Sequence, residues 1–458
     1  MKYLLIILSL LSFTIQAQFK SQRLKVSDNK RFLVYEDGTP FFYLGDTGWE
    51  LFHRLDREQA ERYLKKRSEQ GFTVIQAVAI AEENGLKDPN PYGEVPLIDL
   101  DPTKPNEKYF QHVDYIIDLA AKYGIFIALL PTWGDKVDKM QWGQGPEIFN
   151  HENIRSYGKW IGNRYKDKTN IIWVNGGDRE PKPAHIFIWR ALAEGIIEGV
   201  GNKDKALISF HPPGGTGSSN WLHKEEWLDF NMLQTGHCRD VDVYTRIAKD
   251  YNLIPTKPTM DAEPIYEDHP VCFDAKTHGY STDTDLRKSA YWGVFAGGHG
   301  HTYGCHDVWQ MFSPDKLPVN NPRRPWYDAL DMIGANQMKH LKNLILSRPF
   351  LSRIPDQSMV VGENKTGPEY VVATRDQRGS YAMVYIPVGK KVSIDLSKLS
   401  GSTLKVFWYN PKDGTVTIAS DISKKAVQDF TPATLGKGND WVLIIDDASK
   451  GFKAVGAN

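Results

Sequence analysis

Two short strings hold the residues best suited to chemistry. Trp173-Val174-Asn175-Gly176-Gly177-Asp178 and Met260-Asp261-Ala262-Glu263-Pro264 each put a carboxylate where an apolar, strand-like run stops. In a barrel of parallel strands, the C-terminal strand ends face the active site. Two acids delivered there by separate strands suit cleavage of a glycosidic bond, one protonating the leaving oxygen while the other attacks or stabilises the sugar cation. A lone Asp at such a turn often only caps the next helix. Asp178, however, stands among Asn175, Arg179 and Glu180, more polar groups than one cap requires. Asp261 and Glu263 lie two apart, so on an extended strand both point the same way. Glu263 is the better second acid, because Pro264 ends the ladder beside it and sets it at the rim. Asp261, one step deeper, is placed to orient its neighbours, and the competing role for Glu263 is an ion pair with a barrel arginine.

The elements that must position these acids are strand-helix units. From Phe41 to about Phe350, β-branched or aromatic runs alternate with amphipathic stretches, the pattern of a (β/α)8 barrel. The strands fall at Phe41–Gly45, Thr73–Ala79, Ile125–Leu130, Ile171–Val174, Ala206–Phe210, Asn231–Gln234, Pro258–Met260 and His301–Tyr303. Asp56 with Gln59 reads as a capping box, with Gly71 as that helix's stop. Tyr109–Tyr123 is a second helix, stopped at Gly124. Polar groups gather just after the strands, and Asp46, Trp49, Trp133, His211, Gln234, His237, His301 and Tyr303 are the substrate-binding candidates. Each has a duller alternative: capping for Asp46, rim packing for the two tryptophans, and satisfied buried imidazoles for the histidines.

Residues 1–17 read as a cleaved leader, with Lys2, an apolar run from Tyr3 to Ile15, and Gln16-Ala17-Gln18 at the cut. The run is shorter than the roughly 20 residues a membrane span needs, so export to the periplasm or beyond is expected, without membrane insertion. The barrel, with an N-terminal hairpin over Leu24–Tyr35, occupies 18–350. The sequence does not decide whether that hairpin caps the barrel or joins the next domain. From 351 to 458, short alternating runs (Val371–Thr374, Tyr381–Ile386, Thr403–Tyr409, Trp441–Ile445) indicate an antiparallel β-sandwich.

Lys plus Arg and Asp plus Glu both number 56, and neither sign forms a long block, which argues against nucleic acid or an anionic membrane as partner. A saccharide is the expected partner, and the sequence leaves the oligomeric state open. Three cysteines, Cys238, Cys272 and Cys305, allow at most one internal bridge. His299-Gly300-His301-Thr302-Tyr303-Gly304-Cys305-His306 offers zinc-type ligands. Adjacent residues of a strand point oppositely, so Cys305 and His306 diverge, and no metal is expected. No dinucleotide or phosphate-loop fingerprint sits at a strand-helix junction, so no cofactor is expected either.

Leu44-Gly45-Asp46-Thr47-Gly48-Trp49, Asn175-Gly176-Gly177-Asp178, Met260-Asp261-Ala262-Glu263-Pro264 and Gly298-His299-Gly300-His301-Thr302-Tyr303-Gly304 together resemble glycoside hydrolase family 140. Phe407-Trp408-Tyr409-Asn410-Pro411 with Asp413-Gly414 is similar to the sandwich appended in that family. The resemblance implies a retaining enzyme with Asp178 as acid/base and Glu263 as nucleophile, acting on apiosyl linkages of the pectin rhamnogalacturonan II. It also implies carboxyl groups about 5 to 5.5 Å apart, with Asp178 protonated and Glu263 ionised at rest. The rival readings are a non-catalytic carbohydrate-binding barrel and a metal-dependent hydrolase.

Overall fold

A computed structural model of the chain describes residues 21–141, 143–453 and 455. The proposed leader lies outside them. Eight parallel strands form the expected barrel: β1 Tyr43–Thr47, β2 Val74–Val78, β3 Phe126–Leu130, β4 Ile171–Gly176, β5 Ile208–His211, β6 Asn231–Gln234, β7 Thr259–Asp261 and β8 Gly300–Tyr303. The ladder runs β5-β4-β3-β2-β1-β8-β7-β6, and a short antiparallel strand, Thr216–Gly217, borders β6. Between β5 and β6 the seam is closed by Asp229 N–H donating to the Ile208 carbonyl (2.8 Å) and by Ser209 Oγ donating to the Phe230 carbonyl (2.7 Å).

Alternation along each strand sorts side chains into two cores. Tyr43, Val74, Phe126, Ala128, Ile172, Val174, Met232 and Met260 fill the barrel, while Leu44, Ile75, Ile127, Trp173, Phe210 and Leu233 face the helices. The helix Arg57–Glu69 begins at the expected capping box, Gln59 N–H donating to Asp56 Oδ1 (2.8 Å) and Asp56 N–H to Gln59 Oε1 (3.1 Å). The helices His151–Tyr165 and Ile186–Val200 pack backbone to backbone through Gly158, Gly162, Gly195 and Gly199. A Cβ on Gly195 would lie 2.3 Å from the Arg155 carbonyl, and one on Gly199 2.3 Å from that of Lys159.

The N-terminal strands Leu24–Val26, Leu33–Tyr35 and Pro40–Phe41 plug the barrel floor. Leu24, Leu33 and Phe41 join the interior core, with the Phe41 and Phe126 rings 5.2 Å apart. This settles the open choice for the hairpin in favour of the barrel.

The C-terminal strands build a six-stranded and a three-stranded antiparallel sheet. Val384, Ile386, Val406, Leu443 and Ile445 meet Ile394 and Phe430 of the smaller sheet in a core of their own. The other face of the large sheet, with Met383, Tyr385, Phe407 and Ile444, packs into the barrel's helix layer. That is why Tyr381–Ile386 is buried at every position instead of alternating.

Candidate active site

Beyond β4 the backbone enters left-handed space at three successive residues, Gly176 (φ 93°), Gly177 (φ 104°) and Asp178 (φ 55°). A non-glycine residue held there is uncommon and marks a backbone set by its surroundings. A Cβ on Gly177 would sit 2.8 Å from both Gly134 N and the Trp133 ring, so only glycine lets the two loops meet. Arg179, fully buried, donates to the carbonyls of Asp178 (3.0 Å) and Asp138 (2.6 Å), fixing the turn from below. Asp178 is thereby turned toward the cleft, with 30% of its side chain exposed.

Glu263 arrives by another irregularity. The N–H groups of Ala262 and Glu263 both donate to the Leu233 carbonyl, the signature of a bulge, and the chain bends away after Asp261. The expectation that Asp261 and Glu263 share a direction therefore fails. Asp261 pairs in register with Leu233 on the helix-facing side and accepts from Thr235 Oγ1 (2.6 Å) and N–H (3.3 Å), whereas Glu263 reaches the cleft. Burial lifts the Asp261 carboxyl to about 7 against those hydrogen bonds.

His211, at the end of β5, stands between the two acids. Its Nε2 is 3.0 Å from Glu263 Oε2 and its Nδ1 is 3.5 Å from Asp178 Oδ1. His237 Nε2 approaches the other oxygen of Glu263 at 3.2 Å. One oxygen of Asp178 and one of Glu263 lie within 4.8 Å of each other. Burial opposes ionisation of Glu263, but His211 and His237 outweigh it and hold the carboxyl well below its ordinary range. Asp178 moves the opposite way, raised by burial and by the charge of Glu263 beyond what His211 and Arg179 restore. His211 is raised too, since its acidic neighbours overcome its burial.

Of the eight binding candidates, the structure brings five to this cleft. Trp49 and Trp133, ring centroids 5.1 Å apart, wall His211 at 5.1 and 5.8 Å. Both indoles are buried, so they pack the histidine more than they offer an open platform. Gln234 lies on the interior face with a buried, unpartnered Oε1, beside His211 and His237 as the remaining two. The other three are corrections. Asp46, Tyr303 and His301 lie in register with Ile75, Asp46 and Leu44 on the helix-facing side of the sheet. Asp46 accepts from Tyr63 Oη (2.5 Å) and from Arg67 Nε (2.6 Å), Tyr303 donates to Glu267 (2.7 Å), and His301 is buried, its imidazole pushed down to about 3.

Two further residues went unsingled in the sequence. Tyr266 packs its ring 4.5 Å from His237 and turns its buried hydroxyl toward Glu263 and Thr47. Glu82, in the loop after β2, is held far above the carboxylate range by burial and by its neighbours Asp178 and Glu83. Both follow barrel strands, and that placement is the signal that could have found them. The His299–His306 segment does not converge: His299 Nδ1 meets the Thr259 carbonyl, His306 Nε2 meets that of Asn320, and Cys305 is buried. One ligand atom each of Asp178, His211 and Glu263 lie within 4.8 Å of one another, close enough for a shared cation; the same distances describe an imidazole set between two acids, and we assign no ion there.

Residues 27–352 match the family model described as "Apiosidase-like, catalytic domain", and residues 354–446 match one described as "Putative collagen-binding domain of a collagenase". No curated protein matches the chain. Among solved structures, one described as a glycoside hydrolase is 37% identical, covering 94% of this chain and 98% of that one with a TM-score of 0.87. A glycoside hydrolase family 5 structure from Bacteroides vulgatus is 36% identical, covering 96% and 97%, with a TM-score of 0.88. A catalytic-domain match over most of the residues, and kinship above one third identity along nearly the full length, mean that the chain belongs to the apiosidase-like glycoside hydrolases.

Proposed function

We propose that this glycoside hydrolase works by double displacement, with Asp178 as acid/base and Glu263 as nucleophile, on apiosyl linkages of pectic polysaccharide outside the cytoplasm. The observation that carries the mechanism is the approach of the two acids to within 4.8 Å. Retaining pairs stand roughly 5 to 5.5 Å apart, and inverting pairs leave room for a water at about 6.5 to 9.5 Å. Glu263, kept anionic by two imidazoles, attacks the anomeric carbon while Asp178 gives its proton to the departing oxygen. The glycosyl-enzyme bond formed on Glu263 is then broken by a water that Asp178, now ionised, deprotonates.

The pectic substrate is supported by the apiosidase-like match and the matching motifs. Export is supported by the leader pattern and by the disulfide between Cys238 and Cys272, a bond at home in oxidising compartments. The test is product analysis on rhamnogalacturonan II oligosaccharides with wild type, Asp178→Ala and Glu263→Gln, following the released anomer by NMR. Release of apiose with retained configuration, lost in Glu263→Gln, is expected. An inverted product, or turnover unchanged in Glu263→Gln, refutes the mechanism, and loss of activity on chelation would favour the metal reading. Sequencing the N-terminus of exported protein should begin at Gln18.

A further inference from the structure

His237 depends on an unusual set of ties. The turn that carries it, after β6, has no regular structure, and the ring's Nδ1 has no hydrogen-bond partner among the described residues. Three consecutive residues are instead fastened to the segment after β7. Gly236 N–H donates to the carbonyl of Glu263 itself (3.2 Å), the His237 carbonyl accepts from Cys272 N–H (2.9 Å), and Cys238 is bonded to Cys272. The His237 ring then has the His269 ring stacked on it 4.2 Å away and the tilted Tyr266 ring at 4.5 Å.

We propose that the Cys238–Cys272 disulfide is a positioning element of the active site, clamping the β6 turn to the β7 segment so that His237 stays 3.2 Å from Glu263. This rests on the reading of Glu263 as the nucleophile. The two backbone hydrogen bonds beside it can break and re-form with water, whereas the covalent bridge cannot, so the bridge sets how far the turn can drift. Bridges elsewhere act mainly on the unfolded chain. This one joins the residue next to a charge partner of the nucleophile to the segment bearing the nucleophile, so it also acts within the folded site. Both cysteines are half-buried, within reach of a small reductant.

The groups that face Glu263 are His211 from β5, His237 from the β6 turn, Asp178 from the β4 turn and Tyr266 from its own segment. His269 and, beyond it, His306 face His237. If His237 drifts, Glu263 keeps only one of its two imidazoles, its pKa rises, and activity is lost at a higher pH on the acidic side. A purely structural bridge would leave that limb in place.

The experiment is a kcat/KM against pH profile for four proteins: wild type, Cys238→Ser/Cys272→Ser, His237→Gln, and the triple variant, with Glu263→Gln as control. Wild type treated with dithiothreitol, which is oxidised to its cyclic disulfide as the bridge takes up two electrons and two protons, provides a second route around misfolding. We expect the bridge-less enzyme to lose about tenfold in kcat. We also expect its acidic limb to rise by about half a pH unit or more. Both effects should vanish in the His237→Gln background, where no imidazole remains to be placed, and re-oxidation should restore the reduced wild type. A lowered melting temperature with kcat and acidic limb unchanged overturns the proposal, as does an equal effect of bridge removal with and without His237. Full turnover in Glu263→Gln would instead sink the nucleophile reading itself.

Discussion

Asp178 and Glu263 are the same kind of group driven in opposite directions, and the pH profile should show it. In the proposed mechanism Asp178 carries a proton, so activity should fall as pH rises through its elevated pKa, and Glu263 is charged, so activity should fall as pH drops through its depressed one. The expected curve is a bell whose alkaline limb lies near the raised pKa of Asp178, about 7, and whose acidic limb lies below the ordinary carboxylate range. With a substrate whose leaving group needs no protonation, Asp178→Ala should retain the acidic limb and lose the alkaline one, as steady-state kinetics would reveal. Asp46→Ala should behave differently: it leaves the Arg67 guanidinium buried without its carboxylate and should cost about 3–5 kcal/mol of stability by urea denaturation. KM should hardly change, because Asp46 lies behind the sheet. That Asp178 and Glu263 would meet in one cleft was legible because both follow strands whose C-terminal ends face the same side of the barrel. Asp46, His301 and Tyr303 misled because a string of residues does not reveal which parity faces the barrel axis. Glu263 came out on the cleft side through a bulge that no spacing rule contains.

At the scale of elements, periodicity and caps located all eight strands and the first helix start, since these signals are local. The hairpin's place and the extra strand Thr216–Gly217 depend on distant partners and were not legible. The glycine-lined contact between His151–Tyr165 and Ile186–Val200 is another hidden feature, because a helix interior glycine normally reads as a weak point. Here its propensity cost is offset by the close approach it permits. Gly195→Ala should improve helix propensity and still destabilise the protein by about 1–3 kcal/mol, since the added methyl meets a backbone carbonyl that cannot swing aside. Gly177→Ala should cut kcat far more than it raises KM, because it displaces Asp178 from its turn.

Across the whole molecule, the sequence separates two domains by texture, while the structure joins them with buried charge. Arg287, on the helix Asp283–Phe295, holds both oxygens of Asp440 at 3.0 Å, and Trp292 Nε1 donates to the Tyr370 carbonyl at 2.9 Å. The Tyr244 and Tyr370 rings stack at 3.9 Å, and Tyr291 and Tyr385 at 4.8 Å. Arg287→Ala should therefore cost about 3–5 kcal/mol by orphaning Asp440. Scanning calorimetry of the intact chain should show one cooperative transition, and a barrel truncated after residue 352 should be poorly soluble, with its bared tyrosines and Trp292 turned to water.

That joint also restricts what the sandwich can contribute. An accessory module on a flexible tether increases local concentration by sweeping a volume around its enzyme. This one is welded to the flank by stacked rings and a buried guanidinium, so it sweeps nothing. Whatever surface it presents therefore keeps one fixed bearing from the cleft.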